Sequence, residues 1–148
     1  MSKIRIVLAD DHVTILSRVP SILGEDFEVV GTVSIGRDAV TEVGRLDPDV
    51  LVIDISMPVL DGLQTASQLL RRPCRTKIVF LTVHEDQDYV DTALTLGASG
   101  YVAKLRMSSD LVPAIREVLL GNTYVSRSIA LKSARPDTQS ALKPPVSL

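Results

Sequence analysis

The chain has 148 residues, of which 45% are apolar and 23% charged, a balance typical of one globular domain with a buried core. Its net charge of −2 excludes binding to nucleic acid through bulk positive charge, and its single cysteine excludes an internal disulfide. No apolar stretch reaches the ~20 residues of a membrane span, and the amino-terminal sequence lacks a signal-peptide pattern. We therefore predict a cytoplasmic protein without membrane contact.

Five short apolar runs are typical of strands. Three of them are rich in Val and Ile at consecutive positions, as expected for strands covered on both faces. In chain order, the predicted strands are 4–9, 27–33, 50–53, 77–83 and 100–104.

Segments with helical spacing of apolar residues alternate with these strands. We predict that Pro20 kinks or shortens the first helix, and that Ser108 or Ser109 caps the fifth. The predicted helices are 13–23, 39–46, 63–70, 90–96 and 111–119. Alternating strands and helices favour an α/β fold with a parallel sheet and helices on both faces. Functional sites in such folds form beyond the carboxyl ends of the strands.

Chemically active side chains follow the predicted strands at that edge. The first strand ends in Asp10 and Asp11 and the third in Asp54, whereas the fourth ends near Thr82 and the fifth near Lys104. Neighbouring carboxylates repel one another, and a hard divalent ion such as Mg²⁺ relieves that repulsion. The carboxylates, together with the Lys104 ammonium and the Thr82 hydroxyl, are suited to bind a phosphoryl group. Asp54 is the candidate nucleophile that would form an aspartyl-phosphate.

Four motifs carry a family resemblance. They are "VLADDH" (7–12), "DVLVIDISMPVLDG" (49–62), "IVFLTVHE" (78–85) and "GASGYVAK" (97–104). In this order they resemble the bacterial two-component response-regulator receiver domain, most closely the branch with a LuxR-type helix-turn-helix output domain. The resemblance implies a doubly wound, five-stranded, flavodoxin-like (CheY-like) (βα)5 fold. It also implies a phosphorylation-activated switch rather than a turnover enzyme.

The resemblance assigns a phosphoacceptor and a metal site. Asp54 would accept the phosphoryl group from the phosphohistidine of a sensor histidine kinase. Asp11, Asp54 and the backbone carbonyl of Ser56 would bind Mg²⁺ directly, and Asp10 would bind it through water.

Three further residues receive roles in the chemistry and the switch. Lys104 would pair with the phosphoryl oxygens, and Thr82 would donate a hydrogen bond to the phosphoryl group. Tyr101 would turn inward as Thr82 moves. The surface built by the fourth helix, fifth strand and fifth helix would then change, and a homodimer would form on phosphorylation.

The segment after Gly121 has a different composition. Residues 122–148 contain three prolines and many Ser, Thr and Ala residues, which are typical of a linker. We predict a receiver domain at 1–121 and a linker or tail at 122–148. The linker would lead to a DNA-binding output domain missing from this chain, and DNA would be bound only through that domain.

Other functions remain open. The chain could be a stand-alone receiver or an interaction domain that works without phosphorylation. An Asp-nucleophile phosphohydrolase of the haloacid-dehalogenase type is a third class, although Ser56 stands where those enzymes carry a second aspartate. Neither His12 nor His84 has a second histidine at ligand spacing, so we assign neither to a metal.

Overall fold

The structure, a computed structural model, describes residues 3–55, 62–71, 75–83, 87–95 and 97–126. Strands and helices alternate through these residues, and a 3₁₀ turn at Lys104–Arg106 precedes the last helix. No helix in these ranges is long and apolar enough to cross a membrane. The elements are β1 (Ile4–Ala9), α1 (Val13–Leu23), β2 (Phe27–Val33), α2 (Gly36–Leu46), β3 (Val50–Asp54), α3 (Gly62–Leu70), β4 (Lys77–Thr82), α4 (Gln87–Thr95), β5 (Gly100–Ala103), α5 (Met107–Leu119) and β6 (Tyr124–Val125).

The strands form one parallel sheet in the order β2-β1-β3-β4-β5-β6. This confirms the predicted doubly wound fold. The chain moves from β1 outward to β2, then returns to place β3 on the other side of β1. The strand order therefore reverses between β1 and β3, and ligands bind at such reversals, beyond the carboxyl ends of the strands.

Apolar side chains fill both faces of the sheet. In β1, Ile6 and Leu8 belong to the core cluster that includes α1 and α5, whereas Val7 and Ala9 belong to the cluster that includes α2, α3 and α4. All five residues of β3 are buried, because helices cover this strand on both sides. Burial of each Val, Leu or Ile side chain contributes about 1.5–3 kcal/mol. The central strand is therefore a rigid support for whatever lies at its end.

A sixth strand, which the sequence analysis missed, extends the sheet beyond residue 121. Tyr124 N donates to Ser99 O at 2.9 Å, and Ser126 N donates to Tyr101 O at 2.9 Å. A two-residue strand is too short to show a periodic pattern, so composition alone gave the appearance of a linker from residue 122. The remainder of the predicted tail (122–148), from residue 127 onward, lies outside the described residues.

Two helices differ in detail from their predictions. Helix α1 covers the predicted range and continues through Pro20 to Leu23, so Pro20 does not shorten it. Helix α5 begins at Met107, and Arg106 occupies the N-cap position. The predicted caps Ser108 and Ser109 therefore lie inside the first turn of α5.

A buried hydrogen-bond network holds the chain after β6. The Ser126 hydroxyl donates to Asp110 Oδ2 at 2.8 Å and accepts from Ala103 N at 3.0 Å. Burial raises the pKa of the Asp110 carboxyl, but hydrogen bonds from Ser126, Ser109 and Arg106, with the Arg106 charge, bring that pKa below its usual value. Because β5 ends at Ala103, this network ties the end of the described chain to the start of the loop that follows β5.

Replacement of Ser126 with alanine is expected to lower the free energy of unfolding by about 1–3 kcal/mol, because two buried polar groups lose a partner. Urea unfolding followed by circular dichroism measures this loss. The carboxyl pKa of Asp110 is depressed in the folded protein. Its contribution to stability is therefore complete above the unfolded pKa of about 3.9 and disappears as the pH falls through the folded pKa.

The difference in the free energy of unfolding between wild type and Ser126→Ala should accordingly be largest at pH 7 and should become smaller below about pH 4. Ser21→Ala is the matched control, because the Ser21 hydroxyl donates to the Arg18 carbonyl of its own helix on an exposed face. A Ser126→Ala protein as stable as the Ser21→Ala protein would contradict the account of the network.

Candidate functional site

The reversal point of the sheet places two carboxylates side by side. Ala9 of β1 and Ile53 of β3 are paired in register, so Asp10 and Asp54 follow at neighbouring strand ends. Asp10 is fully buried and Asp54 is 2% exposed. Asp11 lies just outside them, with 35% of its side chain exposed. Three carboxylates are thus concentrated at one edge of the core, as the sequence predicted.

Lys104 supplies positive charge to this cluster. Its Nζ lies 3.0 Å from Asp10 Oδ2 and 3.4 Å from Asp54 Oδ2. The lysine follows β5 and reaches past the end of β4 to β1 and β3. Only 9% of its side chain is exposed, so its charge interacts with both carboxylates in a partly desolvated setting.

Thr82 lies at the end of β4, next to β3, and Tyr101 lies in β5, the strand that precedes Lys104. Thr82 is the last residue of β4, is fully buried and pairs with Ala103 of β5. The Tyr101 ring is also fully buried and contacts the Phe80 ring edge-on, with centroids 6.1 Å apart. The ring therefore lies inside the protein in this structure. The predicted metal ligand Ser56 lies outside the described residues.

His12 also lies in the cluster, although the sequence analysis assigned it no role. Its Nδ1 is 2.9 Å from Asp10 Oδ1, 3.2 Å from Asp11 Oδ1 and 3.2 Å from Lys104 Nζ. Its backbone N–H donates to Asp10 Oδ1 at 2.8 Å, which fixes the turn before α1. The chain offers no second histidine at ligand spacing, but the structure brings the His12 ring nitrogen into the group of aspartates.

The donor atoms fit a divalent cation. Asp10, Asp11, His12 and Asp54 each offer one ligand atom, and these atoms lie within 4.8 Å of one another. The buried Oδ2 of Asp10 lies 3.0 Å from the Lys104 ammonium, so this oxygen already faces a cation. Carboxylate oxygens are the ligands that Mg²⁺ prefers, and it retains several waters beside them. The residues present are therefore suited to hold Mg²⁺.

Comparison with known proteins identifies the family. Residues 6–116 match the response regulator receiver domain family. The chain belongs to this family. It is 36% identical over 126 residues to the transcriptional regulatory protein DegU of Brevibacillus brevis, a match that covers 84% of this chain and 53% of DegU. The chain thus spans about half the length of this relative.

Solved receiver structures have the same fold. A LuxR-family two-component response regulator from Aurantimonas sp. SI85-9A1 is 28% identical, with a TM-score of 0.82 over 90% of this chain and 96% of that chain. The receiver domain of RcsB from Salmonella enterica serovar Typhimurium, solved in the presence of the phosphomimetic BeF₃⁻, is 25% identical. Its TM-score is 0.80 over 88% of this chain and 98% of that chain. These relatives are response regulators rather than turnover enzymes, and they confirm the predicted LuxR-type branch.

Proposed function

We propose that this chain is the phosphorylation-activated receiver of a two-component system and that Asp54 accepts the phosphoryl group from a sensor histidine kinase. The observation that carries the proposal is the position of the Asp54 carboxylate. It ends the fully buried strand β3, with the Lys104 ammonium 3.4 Å from its Oδ2 and two further aspartates beside it. A carboxylate held this way can act as a nucleophile toward phosphorus.

The transfer needs positioning and charge neutralisation more than covalent assistance. An Asp54 carboxylate oxygen forms the new O–P bond while the N–P bond to the donor imidazole breaks. Lys104 neutralises charge on the phosphoryl oxygens, and Thr82 donates a hydrogen bond to one of them. Asp10, Asp11 and Asp54 would hold Mg²⁺, with the Ser56 carbonyl as a further ligand, and the bound ion would add positive charge beside the same oxygens.

Exposed apolar residues at the site support a protein as phosphodonor. Val13, Val83 and Leu105 are 79%, 67% and 91% exposed. Each follows a residue of the site by one position, so all three lie at the edge of the sheet that carries the acidic cluster. Apolar side chains grouped around a polar site favour contact with a partner surface over a small-molecule donor.

Phosphorylation of Asp54 would change the surface of α4, β5 and α5 through Thr82 and Tyr101. A phosphoryl group on Asp54 would draw Thr82 toward it, and the buried Tyr101 ring would hold the inward position next to Phe80. The surface of α4, β5 and α5 would then favour one of two arrangements and form a homodimer. We propose that residues 127–148 connect this receiver to a DNA-binding output domain, and the transcriptional role of DegU supports that proposal.

Beryllofluoride binding tests the site directly, because this phosphoryl mimic binds only where carboxylate, cation and lysine act together. Fluorine NMR of the chain with Mg²⁺ and beryllofluoride should show bound fluorine resonances in the wild type and in Asp38→Asn, a control on the exposed face of α2. Asp54→Asn should show none. Absence of bound resonances from folded wild type would contradict the proposal and favour an interaction domain that works without phosphate.

A further inference from the structure

The His12 ring carries a nitrogen ligand into a site otherwise built from oxygen. Its Nδ1 faces three carboxylates, at 2.9 Å from Asp10, 3.2 Å from Asp11 and 3.8 Å from Asp54. The His12 side chain is 60% exposed, so the ring lies at the outer side of the cluster. Imidazole is a poor ligand for Mg²⁺ and a good one for the later first-row dications.

The spacing of the atoms fits a shared ion. Neighbouring ligands of an octahedral ion stand about 3.0 Å apart when each metal–ligand bond is about 2.1 Å long. The separations of His12 Nδ1 from Asp10 Oδ1 and Asp11 Oδ1 are 2.9 Å and 3.2 Å, close to that value. Small adjustments of the exposed Asp11 and His12 side chains would bring the three atoms around one ion.

The contact between His12 and Lys104 adds a further reason. Nδ1 meets acceptors on Asp10 and Asp11 but also the Lys104 ammonium, a donor, at 3.2 Å. With a proton, Nδ1 can donate to the carboxylates but cannot accept from the ammonium. Without a proton, Nδ1 can accept from the ammonium but cannot donate to the carboxylates. A cation shared by the nitrogen lone pair and the carboxylates would resolve this conflict.

We propose that His12 is a ligand in the metal site of this receiver and raises its affinity for borderline dications, such as Co²⁺ and Ni²⁺, relative to Mg²⁺. This inference rests on the proposed function, because it assigns the ion to the site around Asp54. His12 is thus a residue that determines metal preference. The sequence places it directly after the aspartate pair, where the first turn of α1 fixes its backbone.

The test uses the chain without a histidine tag, because the chain has only two histidines, His12 and His84. Pulsed electron paramagnetic resonance of bound Mn²⁺ detects nitrogen ligands, and calorimetry gives the dissociation constants of Ni²⁺ and Mg²⁺. Wild type and the matched control His84→Ala should both show imidazole nitrogen modulation. His12→Ala should lose it and bind Ni²⁺ about tenfold or more weakly, with little change for Mg²⁺.

The outcomes separate the two proposals. Nitrogen modulation that persists in His12→Ala, or that is absent from wild type while Mg²⁺ still binds, would overturn the role of His12 and leave the proposed function standing. Equal losses of Ni²⁺ and Mg²⁺ affinity in His12→Ala would also overturn it, because a structural effect would not discriminate between the ions. Failure of every dication to bind wild type would overturn both the role of His12 and the metal site of the proposed function.

Discussion

Replacement of Lys104 with glutamine is expected to slow phosphorylation of Asp54 by acetyl phosphate by a factor of about 10² to 10³, the usual cost of removing one group that stabilises developing charge. Lys104 Nζ lies 3.0 Å from Asp10 and 3.4 Å from Asp54, in the position to meet the phosphoryl oxygens. Glutamine keeps a hydrogen-bond donor and similar length but removes the positive charge. The rate of adduct formation, followed by intact mass, measures the effect.

The same substitution should strengthen binding of Mg²⁺. The ammonium repels a second cation next to the same carboxylates, so its removal favours the ion while it slows the transfer. A variant that had merely lost its fold would show both slower phosphorylation and weaker binding of Mg²⁺. Lys3→Gln is the control, because Lys3 is exposed ahead of β1. An unchanged rate in Lys104→Gln would contradict the assignment of Lys104 to the phosphoryl group.

Magnesium is expected to stabilise the folded chain, by about 2.7 kcal/mol at a hundredfold excess over its dissociation constant. The reason is the excess of negative charge at the site, where Asp10, Asp11 and Asp54 face one lysine. In the metal-free protein, repulsion among these carboxylates lowers the free energy of unfolding. Replacement of Asp11 with asparagine should therefore raise the free energy of unfolding in EDTA, by about 1 kcal/mol for one charge pair about 4 Å apart in water.

Urea unfolding with Mg²⁺ and with EDTA measures both effects. Asp11→Asn should show the higher stability in EDTA and a much smaller response to Mg²⁺ than wild type. Asp38→Asn, on the exposed face of α2, should respond as wild type does. If Asp11→Asn is less stable than wild type in EDTA, or if Mg²⁺ leaves wild type unchanged, charge repulsion does not govern this site.

The sequence predicted the sheet because the strands are apolar at consecutive positions and alternate with helical spacing. Val50 to Ile53 are buried on both faces, and such runs identify central strands of a parallel sheet. From the sheet alone it followed that Asp10, Asp54 and Lys104 would meet at one edge, and the structure brings these three together.

Features that depend on tertiary contacts were not predictable in the same way. Strand β6 has only two residues, and Ser126 gains its role from contacts with Asp110 and Ala103 that no local pattern indicates. The position of His12 in the cluster depends on how the turn before α1 directs its ring. A backbone hydrogen bond to Asp10 sets that turn, and only the three-dimensional arrangement shows that the ring nitrogen then faces the other carboxylates.

The measurement that tests the central claim most directly is the intact mass of the chain after incubation with Mg²⁺ and phosphoramidate or acetyl phosphate. Wild type and Asp38→Asn should each gain about 80 Da, the mass of one phosphoryl group on a carboxylate, and Asp54→Asn should gain nothing. Hydroxylamine, which cleaves acyl phosphates, should remove the added mass. An equal adduct on Asp54→Asn, or a wild type that binds beryllofluoride yet never gains the mass, would contradict the assignment of Asp54 as the phosphoacceptor.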